Sequence, residues 1–255
     1  MTASDGRGPL PTAGRVLAVC AHPDDETFGL GGLIASYVHR GAEVALLTLT
    51  RGEASTLGAD PTLAERRTAE LACAVRELGI TTSWLCDHPD GDLVQVPVDQ
   101  LVAEVQVAVE RHRPELLLVF HPSGITGHPD HQRATEAALL AACGADLPVY
   151  GWFVPHQVAI TLNAEFGADF VPTEPAAGDH CIRVDRAPQR AACACHRSQS
   201  GALPLIERKL ELLGDVEHLR ALTRTAEPAV SRSTADPLPP RWPAARPRHP
   251  SGHRP

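Results

Sequence analysis

The feature that most constrains this 255-residue chain is an alternation of short apolar runs and amphipathic stretches over its first 154 residues. Residues 15–20 (RVLAVC), 43–50 (EVALLTLT), 80–86, 115–120 (ELLLVF) and 149–154 have the near-continuous apolar character of strands buried on both faces. Between them, residues 28–40, 61–78, 97–112 and 129–143 read as helices. Asp60 serves as an N-cap, Pro61 sits at N1, and Gly41 and Gly79 are C′ terminators. This order predicts an α/β class: a single Rossmann-like domain with a mostly parallel sheet flanked by helices. Past His156 the pattern loosens, with short strands expected at 158–162 and 181–184 and helices at 187–199 and 203–213.

Three segments follow: a flexible N-terminus (1–14), the α/β body (15–225) and a tail (226–255). The tail holds eight of the 23 prolines and five arginines against Glu227 and Asp236, and reads as disordered. The net charge of −8 therefore understates how acidic the body is, which argues against nucleic acid or an anionic membrane as partner. No run of 18 apolar residues is available to span a bilayer. The first residues lack a basic patch followed by an apolar run, so a cytoplasmic location is expected. The seven scattered cysteines read as unpaired structural residues in that setting. Arginine greatly outnumbers lysine, of which Lys209 is the only one, as in the proteome of a GC-rich bacterium.

The chemistry concentrates in two places. AHPDDE (21–26) follows the first strand, so it sits at a strand's carboxyl end, where open α/β sheets bind ligands. Three carboxylates and a histidine this close repel unless a cation offsets them. Helix capping explains one of the acids, but not the histidine and the others. HPSGITGHPDHQR (121–133) follows the fourth apolar run. It places His128 and His131 three apart around Pro129, able to point off one helical turn. Together the motifs offer His22, Asp25 and His131 as three protein ligands with an open fourth position, the pattern of catalytic zinc. The same donors would accept iron(II). Asp24 remains beside the metal as a candidate base.

The two motifs in combination resemble the PIG-L/LmbE-like deacetylases, which include GlcNAc-phosphatidylinositol de-N-acetylases and the deacetylases of mycothiol and bacillithiol synthesis. The resemblance runs over roughly residues 15–201 and takes in Gly29-Leu30-Gly31-Gly32, Thr50-Arg51-Gly52-Glu53, Arg66, Asp90 and His196. It implies that Asp24 acts as general base and then acid. It also implies that a cationic His128, oriented by Asp130, stabilises the oxyanion, and that Arg51, Glu53, Arg66 and Asp90 contact a sugar. The implied activity is zinc-dependent removal of an acetyl group from the nitrogen of a small-molecule amino sugar. Rival readings are an amidase for a larger amide, such as a mycothiol S-conjugate or an acylated natural product, and a non-catalytic sugar-binding module. A dinucleotide site is rejected. GLGG has Ile34 where the third glycine belongs, and the preceding acids would repel a pyrophosphate.

Overall fold

The computed structural model describes residues 9–57 and 60–223. The tail expected at 226–255 and the first eight residues lie outside that range. Within it, Leu10 is only 2% exposed and packs into the core.

The elements are, in order, β1 (Arg15–Cys20), α1 (Asp25–Phe28), α2 (Gly31–His39), β2 (Glu43–Thr50), α3 (Leu63–Leu78), β3 (Thr82–His88), α4 (Val98–His112) and β4 (Leu116–Phe120). Then come α5 (Gly124–Gly127), α6 (Pro129–Ala145), β5 (Val149–Trp152), α7 (His156–Phe166), β6 (His180–Arg183), α8 (Arg186–Cys193), α9 (Leu203–Leu213) and β7 (Val216–Ala221). The sheet order is β3-β2-β1-β4-β5-β7-β6. Strands β1 to β5 pair in parallel, while β7 pairs antiparallel with both β5 and β6. The parallel part follows the 3-2-1-4-5 order of a doubly wound sheet, so its topological switch point falls between β1 and β4.

Both faces of the sheet are covered, which explains the continuous apolar strands. Val16, Ala18 and Cys20 face one core with residues of α2, α3, α7 and α8. Leu17 and Val19 face a second core with residues of α4 and α6. Alternate residues of one strand thus serve opposite layers.

The region past His156 departs from expectation. Residues 158–162 (VAITL) form a short apolar run like a strand's but lie inside α7, which Gly167 ends at φ +64° while Ala159 and Leu162 face the core. The unpredicted β7 carries Glu217, which is fully buried. Its carboxylate is ion-paired with Arg186 and accepts the Trp152 indole N–H at 2.6 Å. A buried charge needs such partners. The cysteines also differ from expectation: Cys73 on α3 and Cys195 after α8 form a disulfide, with Cα atoms 5.8 Å apart.

Candidate metal centre

The loop after β1 turns sharply. Asp24 has φ +117°, a region that costs an ordinary residue roughly 1–3 kcal/mol. The turn is held by Glu26, whose Oε2 accepts the Asp24 N–H at 2.9 Å. Its Oε1 lies 2.7 Å from His196 Nε2, and both of these side chains are fully buried. Asp25 folds back so that Oδ2 accepts the N–H groups of Ala21 and His22 at 3.0 and 2.9 Å. Of the two aspartates, Asp25 is fastened into the loop and Asp24 is presented beyond it.

His131 reaches the same point from the first turn of α6. Pro129 occupies N1 of that helix, and His128 caps it by accepting the Asp130 N–H on Nδ1 at 3.2 Å. Ring orientations follow from the outer partners. His22 Nε2 lies 3.1 Å from Asp90 Oδ1 and 3.2 Å from Asp130 Oδ2, acceptors that require a proton on that nitrogen. His131 Nδ1 lies 3.0 Å from the Gly124 carbonyl and donates to it. The lone pairs of His22 Nδ1 and His131 Nε2 therefore face each other across 3.2 Å. Asp25 Oδ1 lies 3.1 Å from the same His131 nitrogen. Two lone pairs and a carboxylate aimed at one small volume repel unless a cation, either a proton or a metal ion, lies between them.

The electrostatics agree. Burial alone would lower the pKa of His22, yet hydrogen bonds to Asp130 and Asp90 and the charge of Asp25 raise it to about 10. Burial would raise that of Asp25, but the charge and hydrogen bond of His131, with help from His22, hold it well below the carboxylate range. The cluster thus stabilises positive charge. Its two imidazoles and carboxylate, each with its outer partner in place, form a fitting donor set for zinc or a similar divalent ion.

Asp24 is not part of that donor set. Its Oδ2 receives a hydrogen bond from Arg67 Nη2 at 2.9 Å. Burial raises its pKa to about 6, and the charge of Arg67 opposes the rise. Such a carboxylate is poised to exchange a proton near neutrality.

The remaining candidate residues have partners of their own. His128 stays below the ordinary histidine range, first through burial and then through the neighbouring His131 and His22, so it is neutral rather than cationic. With Nδ1 accepting, its proton sits on Nε2. Asp130 orients His128 through its backbone N–H alone, since its carboxylate serves His22 and the amides of Gly91 and Leu93 at 2.8 and 3.1 Å. Arg66 points to the surface and pairs with Asp60. Its neighbour Arg67, 3% exposed, turns inward instead and also bonds the carbonyls of Gly52 and Pro23. Arg51 pairs with Asp87 at the surface at 2.9 Å. Glu53 accepts the Asp90 N–H at 3.1 Å from an exposed position. Asp90 lines the cavity, but its carboxylate is taken by His22 and by the Ala54 N–H at 2.7 Å. His121 does not join the cluster; its Nδ1 accepts the Ser123 N–H at 3.2 Å.

The cluster opens into a cavity of about 550 Å³. Arg67, Asp90, Ser55 and Gln199 line it on the Asp24 side; Ser55 Oγ donates to Gln199 Oε1 at 2.8 Å. The second half of the chain adds Trp152, Phe170 and Lys209. Lys209 donates to the Phe28 carbonyl and lies 4.9 Å from the Trp152 ring centre; burial lowers its pKa to about 8.

Fold and centre together define a class: an open α/β protein with a buried His₂Asp cluster at its switch point. Comparison with known proteins assigns the family. The family description for PIG-L, GlcNAc-PI de-N-acetylase, matches residues 17–143. A 1D-myo-inositol 2-acetamido-2-deoxy-alpha-D-glucopyranoside deacetylase of Kineococcus radiotolerans is 36% identical over 180 residues, covering 57% of this chain and 50% of that protein. A similarly named protein of Saccharopolyspora erythraea is 31% identical over 184 residues, covering 60% of this chain and 67% of its own length. The chain belongs to the PIG-L family. It spans about half the length of the Kineococcus and Streptomyces griseus relatives that it matches. The fold is shared with a deacetylase of the teicoplanin biosynthetic pathway at TM-score 0.66 and 21% identity, over 84% of this chain and 99% of that one. It is also shared with an N,N′-diacetylchitobiose deacetylase from Pyrococcus horikoshii at TM-score 0.61 and 19% identity, over 86% and 87%. Among the described residues, no helix is long and apolar enough to cross a membrane.

Proposed function

We propose that this protein is a metal-dependent hydrolase that removes the N-acyl group from an N-acylated 2-amino-2-deoxyglucopyranoside. The observation that carries the reading is the convergence of His22 Nδ1, His131 Nε2 and an Asp25 oxygen beside an aspartate that takes no part in it. The names of the relatives support the substrate class.

His22, Asp25 and His131 would hold the ion, zinc or iron(II). When bound, such an ion supplies Lewis acidity toward a carbonyl and brings the pKa of water to about 7. The rest falls to the chain's own side chains. Asp24 takes a proton from the attacking water as the oxygen–carbon bond forms. His128 Nε2–H donates to the carbonyl oxygen as negative charge gathers there. Asp24 then returns its proton to the nitrogen, the carbon–nitrogen bond breaks, and a free amine and a carboxylic acid result. Arg67 keeps Asp24 ionised before the first transfer and holds it aimed through both. Asp90 and Asp130 hold the His22 ring in its tautomer. Arg67, Ser55 and Gln199 face the sugar.

The test is metal analysis of freshly purified protein, followed by primary-amine release from N-acetylglucosamine derivatives with and without chelator. We expect about one divalent ion per chain and release that chelation abolishes and added zinc restores. Stoichiometric metal with no release from any derivative would leave a binding module in place of an enzyme.

A further inference from the structure

Two connected groups of residues line the cavity and differ in chemistry. Asp24, Arg67, Asp90, Ser55 and Gln199 form the polar group, joined through the loop 52–55. In the other, Phe120 lies edge-on to the metal-ligand candidate His131, with ring centres 4.9 Å apart, and Trp152 follows at 5.3 Å from Phe120, with the Lys209 amine over its ring. Ile125 and Phe170 also line the cavity, and all four of these apolar residues are at least nine-tenths buried.

Ile125 is the independent observation. It has φ +65° and ψ −59°, a strained turn that a β-branched residue almost never adopts. Strain of that kind persists only where the surroundings enforce it, and it gathers at ligand sites. The surroundings here are clear. The Ile125 carbonyl accepts the Val171 N–H at 2.7 Å, and the neighbouring Phe170 is clamped by Asn163 through two hydrogen bonds of 2.8 Å. The chain fixes Ile125 and Phe170 together as part of one apolar wall.

Resting on the deacylase reading, we propose that this wall is an acyl-chain subsite, and that the preferred substrates carry an N-acyl group longer than acetyl. The orientation follows from the amide. Its planar bond sets the acyl carbon chain and the nitrogen substituent on opposite sides. Asp24 must reach the departing nitrogen, so the sugar lies on the polar side and the acyl chain runs along Phe120, Ile125, Trp152 and Phe170. An acetyl methyl leaves most of that wall uncovered.

The experiment compares N-acetyl-, N-butyryl- and N-hexanoylglucosamine by kcat/KM, read as amine release. Each methylene buried on the wall raises kcat/KM by about fourfold, which makes butyryl about 15-fold better than acetyl. Phe170→Ala and Ile125→Ala each lower the butyryl-to-acetyl ratio by about fourfold or more, a change that general loosening of the fold does not produce because it scales both rates alike. A ratio of one or less in the unaltered protein overturns the acyl subsite while leaving the deacylase reading intact. Absence of release from all three amides, acetyl included, overturns that reading and the subsite with it.

Discussion

Residues 15–145 and residues 149–221 share one sheet, yet they contribute differently to the cavity. The first region supplies every atom of the His₂Asp cluster together with Asp24 and His128, the proposed base and donor, on loops and first helical turns after parallel strands. The second adds antiparallel strands and covering helices, and it brings Trp152, Phe170, Gln199 and Lys209 to the rim. The proposed chemistry belongs to the region around the switch point between β1 and β4. Shape belongs to the region that adds the antiparallel edge. Substitutions in the first should therefore abolish turnover, and those in the second should alter stability or selectivity while the metal stays.

The largest effect expected is that of Asp24→Asn, which removes the proton carrier and should lower kcat by ~10²–10⁴, measured as amine release at saturating substrate. In the second region, Glu217→Gln leaves Arg186 buried without its carboxylate. It should cost about 3–5 kcal/mol in denaturant unfolding with metal content unchanged. Loss of metal in that variant would break the division of labour. His128→Ala should lower kcat by ~10²–10³ with metal retained, as expected for one oxyanion donor. The smallest effect separates two neighbours. Arg66→Ala, at an exposed pair, should change stability by less than about 1 kcal/mol, whereas Arg67→Ala leaves Asp24 without its guanidinium and should be several times more costly. Equal effects at 66 and 67 would mean that the inward position of Arg67 matters little.

What was legible in the sequence follows the same division. The strands 15–20 and 115–120 declared themselves by unbroken apolar runs, because both faces of a parallel sheet are covered. His22 and His131 could be paired because the motif that holds each one follows such a strand. The second region hid its elements for physical reasons. VEHLRA of β7 looks polar because Glu217 is buried against Arg186 and the Trp152 indole, a partnership that only tertiary structure reveals. Residues 158–162 are a short, mostly β-branched apolar run like a strand's, and the flanking Pro155 and Gly167 are the signals of a helix. The choice of Arg66 over Arg67 was avoidable. Leu63, Arg67, Leu71, Ala74 and Leu78 fall on one helical stripe, and that stripe is the buried one. The outer roles of Asp90 and Asp130 had no sequence signal, since both depend on loops meeting across the sheet's edge.

The most direct test of the central claim is the metal content of the purified protein beside its Asp24→Asn and His131→Ala variants, after dialysis against a weak chelator. Three ligands with a non-ligating base predict about one ion per chain in the parent and in Asp24→Asn, and near none in His131→Ala. A full complement in His131→Ala, or its loss in Asp24→Asn, would contradict the account.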